Sequence, residues 1–170
     1  MKTPTWEGLR PTSDKLRETL FNILAPRLAD ARVLDAYAGT GAIGIEALSR
    51  GAASVTFIER DRRAQALIAE NLAHCRVENG YAIIRASVDR ALADLRAAGA
   101  LFDVVLLDPP YDARLEDEAP ALADVVAPGG LVVLEHARRR PAPEPFGRLM
   151  RSRDVVSGDS ALTFYALPSE

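Results

Sequence analysis

The sequence predicts an α/β fold, in which a mostly parallel seven-stranded sheet carries helices on both faces and an antiparallel hairpin at its C-terminal end. Three observations lead to this prediction. Short apolar runs rich in β-branched residues alternate with segments of helical period, as in parallel sheets. A glycine-rich loop joins the first apolar run to the helix that follows it. Near the C-terminus, two strand-like runs are separated only by the Gly-containing segment 157–160.

The elements follow in a regular order. The caps Thr12, Ser13 and Asp14 predict a helix that ends at Ala25, before Pro26. Strands are predicted at 33–35, 54–58, 81–86, 101–108, 131–136, 153–156 and 161–167. Helices are predicted at 42–50, 62–75, 88–98 and 115–126, the second-last stopped near Gly99 and the last by the segment 128–130.

The composition excludes several classes of protein. Of the 170 residues, 48% are hydrophobic and 26% charged, a balance that excludes disordered and fibrous chains and fits a single domain over residues 1–170. With Cys75 as the one cysteine and two histidines, neither a disulfide nor a structural zinc site is expected, and a reducing cytoplasm fits. No apolar run is long enough to span a membrane. The net charge of −3 excludes nucleic-acid binding through bulk positive charge, but not through a local basic patch.

The loop after the first strand matches a nucleotide-binding pattern. Asp35 closes the strand, and Gly39, Gly41 and Gly44 satisfy G-x-G-x-x-G; Glu59 follows the next strand. The spacing alone leaves a nicotinamide or flavin cofactor open, and a tight turn without a ligand is also an option. A carboxylate at Asp35 would repel a pyrophosphate but attract a cation. S-adenosylmethionine, with its ammonium and sulfonium, therefore fits better, with Glu59 accepting from the ribose hydroxyls.

A second motif, Asp108-Pro109-Pro110-Tyr111, follows the strongest predicted strand. Ligands bind at this carboxyl edge in open α/β sheets, and two prolines make the loop stiff and remove two donors. The Asp108 carboxylate and the Pro109 carbonyl could accept the two hydrogens of an exocyclic amino group, which frees its nitrogen lone pair. Tyr111 could stack on a base that has left its helix. These four residues are the predicted catalytic residues; a proline-stiffened turn is the plain alternative.

Together these motifs resemble the class I methyltransferases that modify amino groups of bases, which have a Rossmann-like fold. The segment 9–24, with its Arg-Pro-Thr sequence, and the segment 45–51 are similar to the bacterial 16S rRNA (guanine-N2)-methyltransferase family of the RsmD type. The resemblance covers about residues 9–167. It implies the strand order 3-2-1-4-5-7-6, S-adenosylmethionine as cofactor, and methylation of guanine 966 of 16S rRNA in an assembling small subunit. A cytoplasmic protein without a membrane or metal partner is expected from the composition given above.

The resemblance also assigns site residues. It implies an N-terminal segment and helix over 1–30, a cofactor-binding core over 31–136, and a C-terminal hairpin with a basic loop over 137–170. The adenine is expected at Ser87 and the Val88 amide, with Asp89 as the second choice. The predicted cofactor-binding set is completed by Thr12, Asp35, Ala38, Gly39, Thr40, Gly41, Gly44, Glu59, Arg60 and Asp108. Only nine residues precede Arg10, where the family carries a basic segment, so part of its RNA-binding surface is expected to be missing.

Basic charge is concentrated late in the chain. Six arginines and one acid, Glu144, lie between positions 138 and 153. Such a cluster can neutralise RNA phosphates despite the negative total, although a solvated arginine-rich loop is an equal alternative. The predicted RNA contacts are Arg10, Arg138, Arg139 and Arg140.

Three other functions stay open from the sequence. An adenine-N6 methyltransferase of DNA or RNA would use the same tetrapeptide, because it serves any exocyclic amine. A nicotinamide-dependent reductase would use the same glycine pattern. A non-catalytic RNA-binding module would keep the fold, but it has no need of Asp108 to Tyr111.

Overall fold

The computed structural model describes Lys2 and residues 13–170. In these residues the helices are α1 (Asp14–Leu28), α2 (Ala42–Ser49), α3 (Arg62–His74), α4 (Val88–Ala97) and α5 (Leu115–Asp124). The strands are β1 (Arg32–Asp35), β2 (Ser54–Ile58), β3 (Tyr81–Ile84), β4 (Phe102–Leu107), β5 (Val126–Ala137), β6 (Met150–Ser157) and β7 (Ser160–Ala166). No helix among them is long and apolar enough to cross a membrane.

The seven strands form one sheet in the order β3-β2-β1-β4-β5-β7-β6, which confirms the expected order. The pairs among β1 to β5 are parallel, whereas β7 is antiparallel to both β5 and β6. The strand β1 pairs with β2 on one side and β4 on the other, so the chain order reverses there. A crevice opens at the carboxyl ends of the strands at such a point, and ligands bind in it.

Apolar side chains cover both faces of the sheet. Phe21, Phe57 and Phe164 lie in the core beneath α1, α2 and α3. Ile58 and Tyr165 belong to the second core, beneath α4 and α5. Since both faces are buried, β4 is a nearly continuous apolar run rather than an alternating one, and three of the four residues of β1 are buried. The strands are therefore held rigidly, and their carboxyl ends are fixed relative to one another.

The first helix runs past its expected end. Ser13 is its N-cap and accepts the Leu16 amide at 3.2 Å, but the helix continues through Pro26 to Leu28. Pro26 cannot donate to the carbonyl of Asn22, which costs one helical hydrogen bond. The burial of Leu28, which is 1% exposed, offsets that loss, so the prediction of an end at Ala25 was wrong.

The fifth strand begins earlier than expected. The segment 128–130 was predicted to stop α5, yet α5 ends at Asp124 and β5 already begins at Val126. Phe102 pairs with Val126 and Val104 with Leu131, so the register shifts at this segment. Gly129, with φ of 76°, allows the bulge. The hairpin turn between β6 and β7 is also shorter than expected, because only two residues separate the strands.

Candidate active site

The site lies where β1 and β4 end side by side. Asp35 pairs with Leu106, so Asp108 follows two residues further along the neighbouring strand. Beyond β1, the Ala36 amide donates to Leu106 and the Ala38 amide donates to Ile58, at 3.0 Å each. The main chain after Asp35 is thus tied to β4 on one side and to β2 on the other. The glycine loop therefore starts from a fixed position above the crevice.

Two glycines let the loop turn into α2. Gly39 and Gly41 have φ of 57° and 80°, in the left-handed region that a residue with a Cβ adopts only with strain. The third glycine, Gly44, lies against β2: a Cβ there would come within 2.3 Å of the Phe57 ring. Gly44 thus allows α2 to approach the sheet closely, which is the role of the third glycine in nucleotide-binding loops.

A side chain that was not predicted from the sequence holds the glycine loop from outside. Asn71, on α3, is fully buried and donates its amide to the Thr40 carbonyl at 3.0 Å. Its Oδ1 accepts the Lys2 amide at the same distance. Asn71 therefore joins the loop to residue 2. An Asn on the buried face of an amphipathic helix was the available signal, since buried amides need partners.

Asp35 is the most deeply buried acid of the site. Its side chain is 4% exposed, and its Oδ2 accepts the Gly44 amide at 3.3 Å. Burial raises its pKa to about 7, with a further contribution from the charge of Glu59; the Gly44 hydrogen bond acts in the opposite direction. An anion at this position is therefore costly unless a cation lies beside it.

Asp108 belongs to the same electrostatic cluster. Its side chain is open to solvent at the mouth of the crevice, although protein closely surrounds it on the other sides. This desolvation raises its pKa well above the usual range, and the charges of Glu135 and Asp35 raise it further. Glu135 was not among the site residues predicted from the sequence. Leu107 pairs with Leu134 of β5, so Glu135, the next residue of β5, lies at the same level as Asp108.

Glu59 stands on the other side of Asp35. Burial raises its pKa, while hydrogen bonds from the amides of Asp61 and Gly39 lower it. The buried Gln65 donates to the Glu59 carbonyl at 2.8 Å and so fixes its main chain. The crevice therefore presents four carboxyl groups, those of Asp35, Glu59, Asp108 and Glu135. Among the described residues no group of acids, histidines or cysteines is arranged to hold a metal ion.

The tetrapeptide forms a loop between β4 and α5. Tyr111 is 79% exposed, the largest exposure among the big apolar side chains of the described residues. The Pro110 carbonyl accepts the Ala113 amide at 3.1 Å, which closes a turn directly after the two prolines. Arg140 lies against Tyr111: its Cζ is 4.0 Å from the ring centroid, and its Nη1 donates to the Tyr111 carbonyl at 2.6 Å.

The residues expected at the adenine lie at the start of α4. Ser87 is exposed and caps the helix, accepting the Arg90 amide at 3.4 Å, whereas the Val88 side chain is buried in the core. Arg60 is exposed beside Glu59. Nearby, the half-buried Tyr37 hydroxyl donates to Glu118 of α5, and burial together with this contact raises the Tyr37 pKa.

The basic cluster is smaller than the sequence suggests. Arg148 is paired with Asp124, and Arg151 with Glu144 and Asp154. Arg140 is held by Tyr111. In the described part of the chain, no ion pair involves the exposed Arg138, Arg139 or Arg153. Arg10 and Thr12 lie outside the described residues.

Comparison with known proteins bears on this site. The model of a protein family described as "Conserved hypothetical protein 95" matches residues 1–166, which is nearly the whole chain. The chain belongs to this family. It is 36% identical over 168 residues to "Ribosomal RNA small subunit methyltransferase D" of Escherichia coli strain K12, covering 97% of this chain and 83% of the relative. The family expected from the sequence motifs is thereby confirmed.

Solved structures agree with this membership. A hypothetical protein of Thermus thermophilus superimposes with a TM-score of 0.78 at 34% identity, over 96% of this chain and 91% of that one. The S-adenosylmethionine-dependent methyltransferase of Agrobacterium tumefaciens gives a TM-score of 0.70 at 17% identity, over 93% and 63%. The second likeness concerns the fold alone, and it confirms the class I methyltransferase architecture predicted for this family member.

Proposed function

We propose that this protein transfers a methyl group from S-adenosylmethionine to the exocyclic N2 of a guanine in 16S rRNA. The observation that carries the proposal is the position of Asp108-Pro109-Pro110-Tyr111, which emerges from β4 directly beside Asp35 and the glycine loop. A group that can polarise an amine thus stands next to a group that can hold a cation. The "Ribosomal RNA small subunit methyltransferase D" relative supports rRNA of the small subunit as the substrate.

The residues of the crevice fit this cofactor. Four carboxyl groups gather there, and at least three of them have raised pKa values, chiefly because burial desolvates them and, for Asp35 and Asp108, also because neighbouring carboxyl groups add like charge. A positively charged ligand lowers the free-energy cost of ionising these carboxyl groups, whereas a pyrophosphate would raise it. Asp35 would hold the amino acid part and Glu59 the ribose hydroxyls, with Ser87 and Val88 at the adenine. When bound, the cofactor supplies an electrophilic methyl group on a sulfonium.

Asp108, Pro109 and Tyr111 would act on the base. The Asp108 carboxylate and the Pro109 carbonyl accept the two hydrogens of the amino group, which draws the nitrogen toward tetrahedral geometry and frees its lone pair. Tyr111 offers an open ring face on which the base stacks. Positioning and acceptance of the developing positive charge then supply most of the catalysis. Asp108, or water beside it, takes the surplus proton.

The remaining features concern the RNA. The exposed Arg138 and Arg139 lie on the segment that also brings Arg140 to Tyr111, so they would contact phosphates beside the target base. By resemblance, the target is guanine 966 in an assembling small subunit. Since that substrate is assembled in the bacterial cytoplasm, the proposal places the protein there.

Two measurements on the purified protein test the proposal. Thermal unfolding is expected to shift upward with S-adenosylhomocysteine and not with a nicotinamide cofactor. Radioactive methyl groups from the cofactor are expected to enter unmodified 16S rRNA within small-subunit particles, with the label in N2-methylguanosine after digestion. Stabilisation by the nicotinamide cofactor alone would refute the cofactor assignment. If the label were found only in N6-methyladenosine, the target base would be adenine rather than guanine.

A further inference from the structure

We propose that Arg140 is a positioning residue that braces Tyr111 from the C-terminal part of the chain, so that one face of the ring stays available to the target base. This assignment rests on the function proposed above for Tyr111, and it differs from the phosphate contact that the sequence suggested for Arg140. The Arg140 side chain reaches across 29 positions of sequence to the tetrapeptide loop. The two segments are joined at the site itself.

Two contacts from one guanidinium fix both parts of Tyr111. The Cζ of Arg140 lies 4.0 Å from the ring centroid, within the range of a cation–π interaction, and so covers one face of the ring. The Nη1 of the same group donates to the Tyr111 carbonyl at 2.6 Å, which restrains the main chain. The planar guanidinium can lie over the ring while one of its five N–H groups donates to the carbonyl, whereas the Lys ammonium is a compact, strongly hydrated point charge.

Hydrogen bonds also fix the main chain at Arg140. The Arg140 amide donates to the Ala137 carbonyl at 3.0 Å. The Nδ1 of His136 lies 2.8 Å from the Arg140 carbonyl and 3.0 Å from that of Ala137, and because carbonyls only accept, Nδ1 carries the proton. The Nε2 of His136 lies 2.8 Å from the hydroxyl of the buried Thr163 on β7. The main chain at Arg140 is thus tied to the rigid sheet.

Tyr111 has little other support. Its side chain is 79% exposed even with the guanidinium on one face, so the core does not fix its orientation. A ring this exposed would sample several rotamers, and each would have to be restricted when a base arrives. The brace restricts them beforehand and leaves the opposite face open. In this arrangement the Tyr111 ring would lie between the base on one face and the Arg140 guanidinium on the other.

Steady-state kinetics with small-subunit particles as substrate separate this role from a phosphate contact. The variants are Arg140→Ala, Arg140→Lys and the neighbouring Arg139→Ala, whose arginine is exposed and outside every ion pair of the described residues. A brace predicts that kcat falls about tenfold in both Arg140 variants, because misplaced reacting groups slow the chemical step. Arg139→Ala is expected to keep kcat, to raise KM a few-fold, and to lower the slope of log KM against log salt by about one.

Two outcomes would overturn the proposal. If Arg140→Lys matches the wild type and Arg140→Ala raises only KM with a reduced salt slope, Arg140 contacts phosphate. If Arg140→Ala binds RNA more tightly than the wild type, the guanidinium occupies the position of the base rather than bracing the ring.

A second measurement does not depend on the proposed function. The chain has four tyrosines, so the ring signals of a ¹³C-tyrosine-labelled sample can be assigned with Tyr111→Phe. Arg140→Ala and Arg140→Lys are expected to shift and narrow the Tyr111 signal, whereas Arg139→Ala leaves it unchanged. An unchanged Tyr111 signal in Arg140→Ala would refute the brace even if methyl transfer is observed. If Arg140→Ala shifts the Tyr111 signal but the wild-type protein transfers no methyl group, the proposed function is refuted, whereas the contact between Arg140 and Tyr111 is confirmed.

Discussion

Asp35 shows how a residue can lower the stability of the folded protein and yet favour the binding of a cation. It is buried, its Oδ2 accepts one amide, and Glu59 adds a like charge. Folding therefore leaves a carboxyl group that is ionised only at a cost near neutral pH. A cationic ligand stabilises the ionised carboxylate and so removes this cost. The free energy of folding lost at Asp35 is therefore regained as binding free energy.

Asp35→Asn is expected to stabilise the protein measured without cofactor at pH 8. Because the folded pKa of about 7 exceeds the unfolded value, the associated stability is complete below about pH 4 and is lost as pH rises through 7. The neutral amide escapes this loss and still accepts from Gly44, so urea unfolding should show a gain on the order of 2–4 kcal/mol at pH 8, vanishing near pH 4.

The same variant should bind S-adenosylhomocysteine at least tenfold more weakly in calorimetry, since the counter-charge is gone. Asp94→Asn, on the exposed side of α4, serves as the control and should change stability by less than about 0.5 kcal/mol. A destabilised Asp35→Asn at pH 8 would contradict the assigned cost of the buried charge.

Asp108→Asn is expected to separate catalysis from cofactor binding. The amide adds a donor where the amino group of the base needs an acceptor, so kcat should fall by about 10²-fold or more. Affinity for S-adenosylhomocysteine should stay within about threefold, because Asp108 stands at the mouth of the crevice. Asp112→Asn, on the same loop, is the matched control. If Asp108→Asn lost cofactor binding, Asp108 would contact the cofactor rather than the base, which contradicts the role assigned to it.

At the scale of elements, the position of α2 and of the glycine loop depends on the close packing of α2 against β2 at Gly44. Gly44 brings the helix against Phe57 of β2, and the Gly44 amide also reaches Asp35. The position of the glycine loop is therefore set by packing on the sheet as well as by the turn. Asn71 of α3 adds a restraint at Thr40.

Gly44→Ala is expected to destabilise the protein by about 1–3 kcal/mol, because the added methyl group would overlap the Phe57 ring and push α2 outward. Cofactor affinity should fall with it, as measured by calorimetry. The double variant Gly44→Ala/Phe57→Leu should recover part of the affinity. Gly99→Ala, which meets no atom within 4 Å, tests backbone strain alone and should leave affinity unchanged.

The elements also show what sequence can and cannot predict. The glycine loop was predictable because the spacing of its three glycines is a nucleotide-binding pattern, and the order of the strands followed from the family's motifs. The contact between Arg140 and Tyr111 was not, because nothing in a run of three arginines says which one meets an aromatic ring 29 residues earlier. The position of Glu135 opposite Asp108 depends on the bulge at 128–130, which the sequence suggested only as a helix stop.

At the scale of the whole molecule, the distribution of charge matters more than its sum. The net charge is −3, and four carboxyl groups gather at the crevice. Of the six arginines between 138 and 153, three are held by partners, which leaves Arg138, Arg139 and Arg153 exposed. RNA is therefore expected to meet a small basic area next to an acidic cofactor crevice, and its backbone to be positioned by few contacts.

Arg138→Ala/Arg139→Ala is expected to raise KM for small-subunit particles about tenfold and to reduce the salt slope by about two, with kcat unchanged. Arg90→Ala/Arg96→Ala removes the same charge elsewhere, where both arginines are already in ion pairs, and serves as the control. Equal effects in the two double variants would mean that net charge, and not the basic area near Tyr111, governs RNA binding.

The central claim is that Asp108 and Tyr111 present a guanine amino group to a methyl donor held beside Asp35. It is tested most directly by mass spectrometry of 16S rRNA nucleosides after reaction of unmodified small-subunit particles with a cofactor carrying a deuterated methyl group. We expect one labelled N2-methylguanosine per 16S rRNA with the wild-type protein, and labelling that is slower by about 10²-fold or more with Asp108→Asn. Label in another nucleoside, or undiminished label with Asp108→Asn, would contradict it.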